Sequence, residues 1–189
     1  KSPGVGKAIF IQDPDGFFSE PAQRASGPGT APQETTAPET ANIIGGNFEI
    51  MVADTDKTLR LYKEALGFEL QQPSTAFDGN KLLMDTAGTP GAQFKRSVAQ
   101  IPGTKVSMAF LEFRDIDRKP IKTRTQDPGT PILQLRVKDV DATAKAWKAA
   151  GGEIVSTNGE PVTIGTNKIV LLRDPNGVML EILPAPQPR

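Results

Sequence analysis

Two segments of this 189-residue chain repeat the same arrangement of residue types 85 positions apart, as from Val52 to Val137. Residues 47–70 (NFEIMVADTDKTLRLYKEALGFEL) and 132–155 (ILQLRVKDVDATAKAWKAAGGEIV) each predict a strand, a helix and a second strand. The shift superposes Val52 on Val137, Asp54 on Asp139, Asp56 on Asp141, Leu59 on Ala144, Tyr62 on Trp147 and Gly67 on Gly152. Because residues with the same physical role recur at one fixed separation, we expect the chain to fold into two similar units.

The helix of the first unit carries start and stop signals. Asp54 is placed to cap the N-terminus, and Asp56 puts a negative charge in the first turn, where the helix dipole favours it. Leu59, Tyr62 and Leu66 form an apolar stripe, and the following glycine is placed to end the helix. Tyr62 and its equivalent Trp147 are therefore predicted core residues.

Further strands follow each helix. Residues 166–174 and 178–183 predict a hairpin around Pro175-Asn176-Gly177, and residues 105–113 predict the last strand of the first unit. We align Glu112 with Glu181, which leaves about 16 extra residues in the first unit, within 73–104. Gly and Pro interrupt this segment, so we expect a long loop able to cover a cavity.

The turn sequence Asp-Pro-Asn-Gly also has a counterpart near the start of the chain. A shift of 161 positions superposes Gly4 on Gly165, Lys7 on Lys168, Asp13-Pro14 on Asp174-Pro175, Gly16 on Gly177 and Glu20 on Glu181. Residues 1–20 therefore predict the terminal hairpin of a partial preceding unit. Since a lone hairpin is marginal in water, we expect the parent chain to continue upstream, or else the hairpin to join another sheet or subunit.

Composition divides the rest of the chain. Residues 21–43 are rich in Pro, Thr and Ala and predict a linker. We expect a first unit at 44–119, a connector at 120–128 and a second unit at 129–189. A Pro/Thr linker and the absence of cysteine favour export, to the periplasm or the cell exterior.

Charge and missing residue types exclude several classes of function. Lys plus Arg and Asp plus Glu both number 22, which gives no electrostatic case for nucleic acid. No apolar run is long enough for a transmembrane segment. The chain has no His and no Cys, so His- or Cys-based nucleophilic catalysis and imidazole or thiolate metal ligands are excluded.

The order β-α-β-β-β in each unit resembles the vicinal-oxygen-chelate superfamily, which includes glyoxalase I, bleomycin-resistance proteins, fosfomycin-resistance enzymes and extradiol dioxygenases. The resemblance rests on VADTDKTLRLYKEALGF, VKDVDATAKAWKAAGG and RDPNGVMLEI. It implies an α+β fold of two tandem modules whose curled mixed sheets enclose a shared cavity, here preceded by the detached hairpin.

The resemblance also implies where metal ligands would lie. The first-strand ligand, usually His, falls on Asn47 and Ile132, and the last-strand Glu falls on Glu112 and Glu181. Ile132 cannot bind a metal, and Asn47 offers one neutral oxygen. We therefore expect no cofactor and a degenerate metal site; the alternative is a hard divalent cation such as Mg²⁺ or Ca²⁺, held by the two carboxylates.

Strand alternation extends the predicted site. The concave face then carries the polar residues Asn47, Glu49, Glu112, Arg114, Gln134, Arg136 and Glu181, together with apolar residues including Ile132 and Phe110. The opposite, helix-facing side carries Phe48, Ile50, Val52, Leu133, Leu135 and Val137. Glu112 and Glu181 either contact a ligand or are paired with Arg114 or Arg136 for structural reasons.

These features leave three interpretations of function. The first is a small-molecule-binding or non-catalytic domain that has lost its His ligands. The second is a lyase or isomerase of the glyoxalase type, with Glu112 or Glu181 as the base and a hard cation as the electrophile. The third is an accessory structural subunit, with a protein partner or a second copy bound through a sheet or the N-terminal hairpin.

Overall fold

A computed structural model of the chain describes residues 5–24, 37–38, 40–43 and 45–186. Its strands are β1 Val5–Ala8, β2 Ile11–Gln12, β3 Phe18–Ser19, β4 Ala22–Arg24, β5 Phe48–Met51, β6 Glu69–Gln72, β7 Gln93–Gln100, β8 Ser107–Arg114, β9 Ile132–Val137, β10 Glu153–Ile154, β11 Val162–Ile164, β12 Asn167–Arg173 and β13 Met179–Pro184. Its helices are α1 Thr55–Leu66, α2 Lys81–Thr86, α3 Val140–Ala149 and a 3₁₀ turn at Thr157–Gly159. Within these residues, no helix has the length and apolar character needed to cross a membrane.

Two mixed sheets form the body of the fold. The first sheet has the order β5-β8-β7-β6, and the second has the order β10-β12-β13-β9 with β11 beside β12. In each sheet the strand that leads into the long helix pairs in parallel with the last strand of its unit, β5 with β8 and β9 with β13. The remaining pairs are antiparallel. The predicted α+β class is confirmed.

The ends of the two long helices follow from local chemistry. The Asp54 carboxylate accepts the Lys57 N–H at 3.0 Å, and Asp139 accepts the Ala142 N–H at 2.9 Å, so both helices begin as predicted. Helix α1 ends at Gly67, whose φ of 72° lies in the left-handed region that glycine, without a Cβ, adopts at no steric cost.

A single core lies against both helices. Tyr62 of α1 and Trp147 of α3 are fully buried and contact each other edge to face, with ring centroids 5.6 Å apart. The core includes Ile50 and Phe110 from the first sheet and Leu172 from the second. The two units are therefore joined through the helix-facing sides of their sheets.

The turn between β12 and β13 fastens the second unit to the first. The Asn176 side-chain oxygen accepts the Ala53 N–H at 2.8 Å, and its amide group donates to the Thr58 hydroxyl at 3.1 Å. Beside it, the Tyr62 hydroxyl donates to the buried Asp174 carboxylate at 3.4 Å. A Cβ on Gly177 would lie 1.9 Å from the Ile121 carbonyl oxygen, so this close approach requires glycine.

The expected long loop within 73–104 is wrong. The segment contains helix α2 and the eight-residue strand β7, which lies between β8 and β6 in the first sheet. Strand β7 has apolar and polar residues on both of its faces, with Val98 and Ala99 adjacent and Lys95 buried, so its sequence shows no alternation. Tertiary packing overrides the weak local signal.

The N-terminal segment is a hairpin, as predicted, with β1 paired to β4 and β2 to β3. It extends to Arg24, beyond the predicted boundary at residue 20. Most of the predicted linker of residues 21–43, namely 25–36 and 39, lies outside the described residues, as does residue 44 at the start of the predicted first unit.

Candidate functional site

Each sheet has an open face, by which we mean the side turned away from α1 and α3. On the second sheet, Gln134 lies opposite Glu181, and Ile132 and Arg136 are on the same side of β9. The sequence-predicted residues of the second unit are therefore neighbours on one surface.

A shallow cavity of about 330 Å³, more open to solvent than enclosed, lies on this open face. It is lined by Thr125, Ile132, Ser156, Thr157, Val162, Ile164, Ile169, Leu171 and Glu181. The lining is largely aliphatic and carries one carboxylate, that of Glu181, which accepts a hydrogen bond from the Gln134 amide at 2.6 Å. A ligand with an apolar body and a hydrogen-bond donor fits this distribution of polarity.

A second cavity, of about 340 Å³, adjoins the first through Ile169. It carries Arg136, whose guanidinium donates to the Pro184 carbonyl at 3.3 Å, and the side chain of Asn167. Glu181 and Arg136 thus place opposite charges on adjoining parts of one face. Arg136 lies opposite Leu183, which follows Glu181 by two residues on β13.

The open face of the first sheet is organised differently. The Arg96 guanidinium donates twice to one oxygen of Glu49, at 2.9 and 3.1 Å, and Asn47 donates to the same oxygen at 3.1 Å. Beside this group is an apolar cluster of Val98, Ala109 and Leu111 with the rings of Phe94 and Phe113. Asn47 and Glu49 therefore share a face, as predicted, but Glu49 is already paired.

The structure corrects the predicted position of Glu112. Strand register places Phe110 beside Ile50, on the helix-facing side, and Glu112 follows on that side. Met51 lies opposite Leu111, and its equivalent Arg136 lies opposite Leu183. The residue of the first unit equivalent to Glu181 is therefore Ala109, and the predicted alignment of Glu112 with Glu181 is wrong. Residues 108–111 at the centre of β8 are all apolar, so the alternation of polar and apolar residues did not indicate which face each side chain occupies.

Glu112 instead accepts hydrogen bonds from the first residue of helix α1. One of its carboxylate oxygens accepts the Thr55 N–H at 2.8 Å and the Thr55 hydroxyl at 3.0 Å, and it lies 3.3 Å from the buried Lys95 ammonium. Burial raises the pKa of Glu112, but the bonds from Thr55 and the ion pair with Lys95 outweigh it, so the net pKa is lowered. The predicted partner Arg114 instead bonds Gln93 and lies 4.2 Å above the Phe77 ring.

This arrangement predicts a pH-dependent stability difference for Glu112→Gln. We expect the variant to lose about 1–3 kcal/mol at pH 7, because it weakens a helix cap and leaves Lys95 with less compensation. Since the folded pKa of Glu112 is lowered, its carboxylate stabilises the fold above the unfolded pKa and ceases to do so as pH falls through the folded pKa.

Urea unfolding of both proteins from pH 7 down to about pH 3 measures this difference. The exposed residue Glu64 on the same helix provides a control, Glu64→Gln, that should change stability little. An equal deficit for Glu112→Gln at every pH would contradict the assignment.

The N-terminal hairpin contributes a residue that the predicted site omitted. Glu20 lies within electrostatic reach of Glu49 and Arg96, on the open side of the first sheet. Partial burial raises the pKa of Glu20, the Glu49 charge raises it further, and Arg96 opposes both. The equivalence of Glu20 to Glu181 was visible in the sequence, but its proximity to the first sheet was not.

The predicted site residues are thus divided between surfaces. Ile132, Gln134, Arg136 and Glu181 lie together on the second sheet, Asn47 and Glu49 lie on the first, and Glu112 and Arg114 lie on the helix-facing side of the first. Neither cavity described above includes a residue from the first sheet. One cavity shared by both sheets remains a prediction.

The fold and its open faces define a class, that of paired mixed-sheet proteins of the glyoxalase type. A family model for the Glyoxalase/Bleomycin resistance protein/Dioxygenase superfamily matches residues 46–182, and the chain belongs to this superfamily.

Related proteins agree with this membership. Proteins named probable lactoylglutathione lyase match over 143 residues, 71% of this chain and 85% of each relative; the one from Vibrio parahaemolyticus is 27% identical and the one from Vibrio cholerae 24%. Among solved structures, a glyoxalase family protein from Bacillus cereus is 14% identical, with a TM-score of 0.66 over 78% of this chain and 98% of its own.

A glyoxalase I mutant from Zea mays has a TM-score of 0.59 at 17% identity, over 96% of this chain and 60% of its own. At that coverage the match extends beyond residues 46–182 into the N-terminal segment. At these identities the solved structures show a shared fold.

Proposed function

We propose that the open face of the second sheet binds a small molecule with an apolar body and a hydrogen-bond-donating or cationic group, without an imidazole-bound metal. The observation that carries this proposal is the aliphatic cavity with the single carboxylate of Glu181 in its lining. Gln134 orients one oxygen of that carboxylate and leaves the other available to a ligand.

The donor chemistry supports binding without the metal that the superfamily often uses. The positions that the family resemblance assigns to ligands carry Asn47, Ile132, Glu181 and, by strand register, Ala109. Two of these side chains have no donor atom, and the chain has no histidine. Over the described ranges, no group of three or more His, Cys, Asp or Glu residues is placed to hold an ion. These residues do not fit a transition-metal site.

Substitution of Glu181 tests the proposal. Fragments that contain an apolar ring and an amine, screened by ligand-observed NMR, should bind the wild-type protein. We expect Glu181→Gln to weaken that binding roughly 10- to 100-fold, because it removes the charge from a hydrogen bond worth about 1.5–3 kcal/mol. Glu160→Gln, at an exposed position outside the cavity lining, is the matched control. Equal fragment affinity in the two variants would contradict the proposal.

A lyase activity is the second candidate, and the names of the Vibrio relatives favour it. It requires a hard cation, since the available donors are carboxylate and amide oxygens. A thermal shift on titration with Mg²⁺, Mn²⁺, Ni²⁺ or Zn²⁺ that Glu181→Gln abolishes would support this candidate over metal-free binding. The third interpretation, an accessory subunit, predicts neither fragment binding nor a metal-dependent shift.

A further inference from the structure

The open face of the second sheet carries two residues of opposite charge, Glu181 and Arg136, that do not neutralise each other. Among the described residues, neither of them forms an ion pair. The Glu181 carboxylate accepts a hydrogen bond from the Gln134 amide, and the Arg136 guanidinium donates one to the Pro184 carbonyl. Because a guanidinium has five N–H donors and a carboxylate two acceptor oxygens, both groups retain the capacity to bind a ligand.

Strand register keeps these two charges apart. Arg136 lies opposite Leu183, two residues beyond Glu181 on β13. Since adjacent strands lie about 4.8 Å apart and a strand rises about 3.3 Å per residue, the Cα atoms of Glu181 and Arg136 are about 8 Å apart. On the open face of the first sheet, by contrast, Arg96 and Glu49 form an ion pair at 2.9 Å. The second sheet therefore presents a separated pair of charges, whereas those of the first sheet are paired.

The surface around the two charges is aliphatic. Leu171 lines the cavity that contains Glu181, Leu183 lines the one that contains Arg136, and Ile169 lines both. Because both cavities lie on one face and meet at Ile169, a ligand can extend from one into the other. Its apolar body would then cover aliphatic side chains while its two ends reach the charged groups.

The cavity at Arg136 is suited to an anion. Its lining includes the side chain of Asn167, which lies on the open face because the next residue, Lys168, pairs with Asp141 of helix α3. Among the described residues that line this cavity there is no acid. Guanidinium and amide N–H groups are donors to carboxylates, and the guanidinium adds its charge.

We propose that the ligand of the second sheet is a zwitterion with an apolar spacer. Its ammonium group binds Glu181, its carboxylate binds Arg136, and the spacer lies over Ile169. This inference rests on the proposed function, because it adds a second recognised group to the molecule that Glu181 binds. The separation of the ligand's charges determines specificity: a carboxylate on the same carbon as the ammonium would lie beside Glu181 and be repelled by it.

Three small probes, titrated against the whole chain and followed by ligand-observed NMR, test the separation of charges. Para-aminomethylbenzoate has an ammonium and a carboxylate at opposite ends of a ring, its isomer phenylglycine has both on one carbon, and para-methylbenzylamine has no carboxylate. We expect para-aminomethylbenzoate to bind about three- to tenfold more tightly than para-methylbenzylamine, the range for one partly exposed, charged hydrogen bond. Phenylglycine should bind more weakly than either.

Substitution of Arg136 tests which residue recognises the carboxylate. Arg136→Gln should abolish the difference in affinity between para-aminomethylbenzoate and para-methylbenzylamine, because it removes the charge that the carboxylate pairs with. Lys145→Gln removes the same charge from an exposed position on α3, on the other side of the sheet, and should retain that difference. Circular dichroism confirms that each variant keeps the wild-type spectrum.

The possible results separate this inference from the proposed function. If para-methylbenzylamine binds in a Glu181-dependent manner and the carboxylate adds no affinity, the zwitterion is wrong and the proposed function stands. Equal affinity for para-aminomethylbenzoate and phenylglycine, or equal effects of Arg136→Gln and Lys145→Gln, would also overturn the inference. If none of the three probes binds the wild-type chain, both proposals are wrong.

Discussion

Replacement of Trp147 by alanine is expected to lower the free energy of unfolding by about 3–5 kcal/mol, the range for removal of a large buried ring. Trp147 is fully buried, packs edge to face on Tyr62 of the other unit and donates its indole N–H to the Arg173 carbonyl at 3.3 Å. A cavity at this position separates the two helices and leaves the carbonyl without its donor.

Urea unfolding followed by circular dichroism measures this loss, since Trp147 is the chain's single tryptophan and the variant has no indole fluorescence. Trp147→Phe is the graded control, and it should be less destabilised because it keeps the ring contact. Gly152→Ala should be destabilised as well, because a Cβ there would lie 2.1 Å from the indole nitrogen. A loss below about 1 kcal/mol for Trp147→Ala would show that the helices do not share one core.

Replacement of Asp174 by alanine should cost about 2–4 kcal/mol, because several donors lose their acceptor together. The carboxylate accepts the N–H groups of Asn176 and Val178, the Asn176 side-chain amide and the Tyr62 hydroxyl. It is buried, and burial raises its pKa. The loss releases the turn that joins the second unit to Ala53 and Thr58.

The duplicated turn provides a control for this prediction. Asp13 makes the same two backbone hydrogen bonds in an exposed turn, so Asp13→Ala should cost no more than about 1 kcal/mol. Urea unfolding of the two variants gives the comparison directly. Equal losses would mean that the turn's local geometry, and not its position between the units, determines the importance of Asp174.

The features that the sequence predicted correctly have local determinants. Asp54 and Asp139 cap helices through bonds to residues three positions away. Gly67 adopts a left-handed conformation next to the last helical residue, and Tyr62 and Trp147 follow the period of a helix into the core. Each of these features depends on a few consecutive residues, and the internal repeat supplied the aspartate cap and the buried aromatic residue twice.

Two features that the sequence did not predict, the presence of β7 and the face on which each β8 side chain lies, depend on neighbouring strands. Residues 108–111 of β8 are apolar and buried on both faces, so only the pairing with β5 decides that Glu112 faces the helix and Ala109 the open side. Strand β7 became recognisable only as the partner of β8. A shift of one residue in register moves every side chain of a strand to the opposite face. When the residues on both faces are apolar, the sequence pattern cannot show which face is which.

By itself, the sequence determined the repeat, the capped helices, the Asp-Pro-Asx-Gly turns and the absence of imidazole and thiolate ligands. Tertiary structure alone decided that Glu112 caps a helix, that Glu181 lines an aliphatic cavity and that Glu20 lies within electrostatic reach of Glu49. The physical reason is the separation in sequence of the interacting residues. Caps and turns are determined by hydrogen bonds within a few residues. The orientation of a strand and the contacts of a hairpin are determined by segments that are distant in the chain.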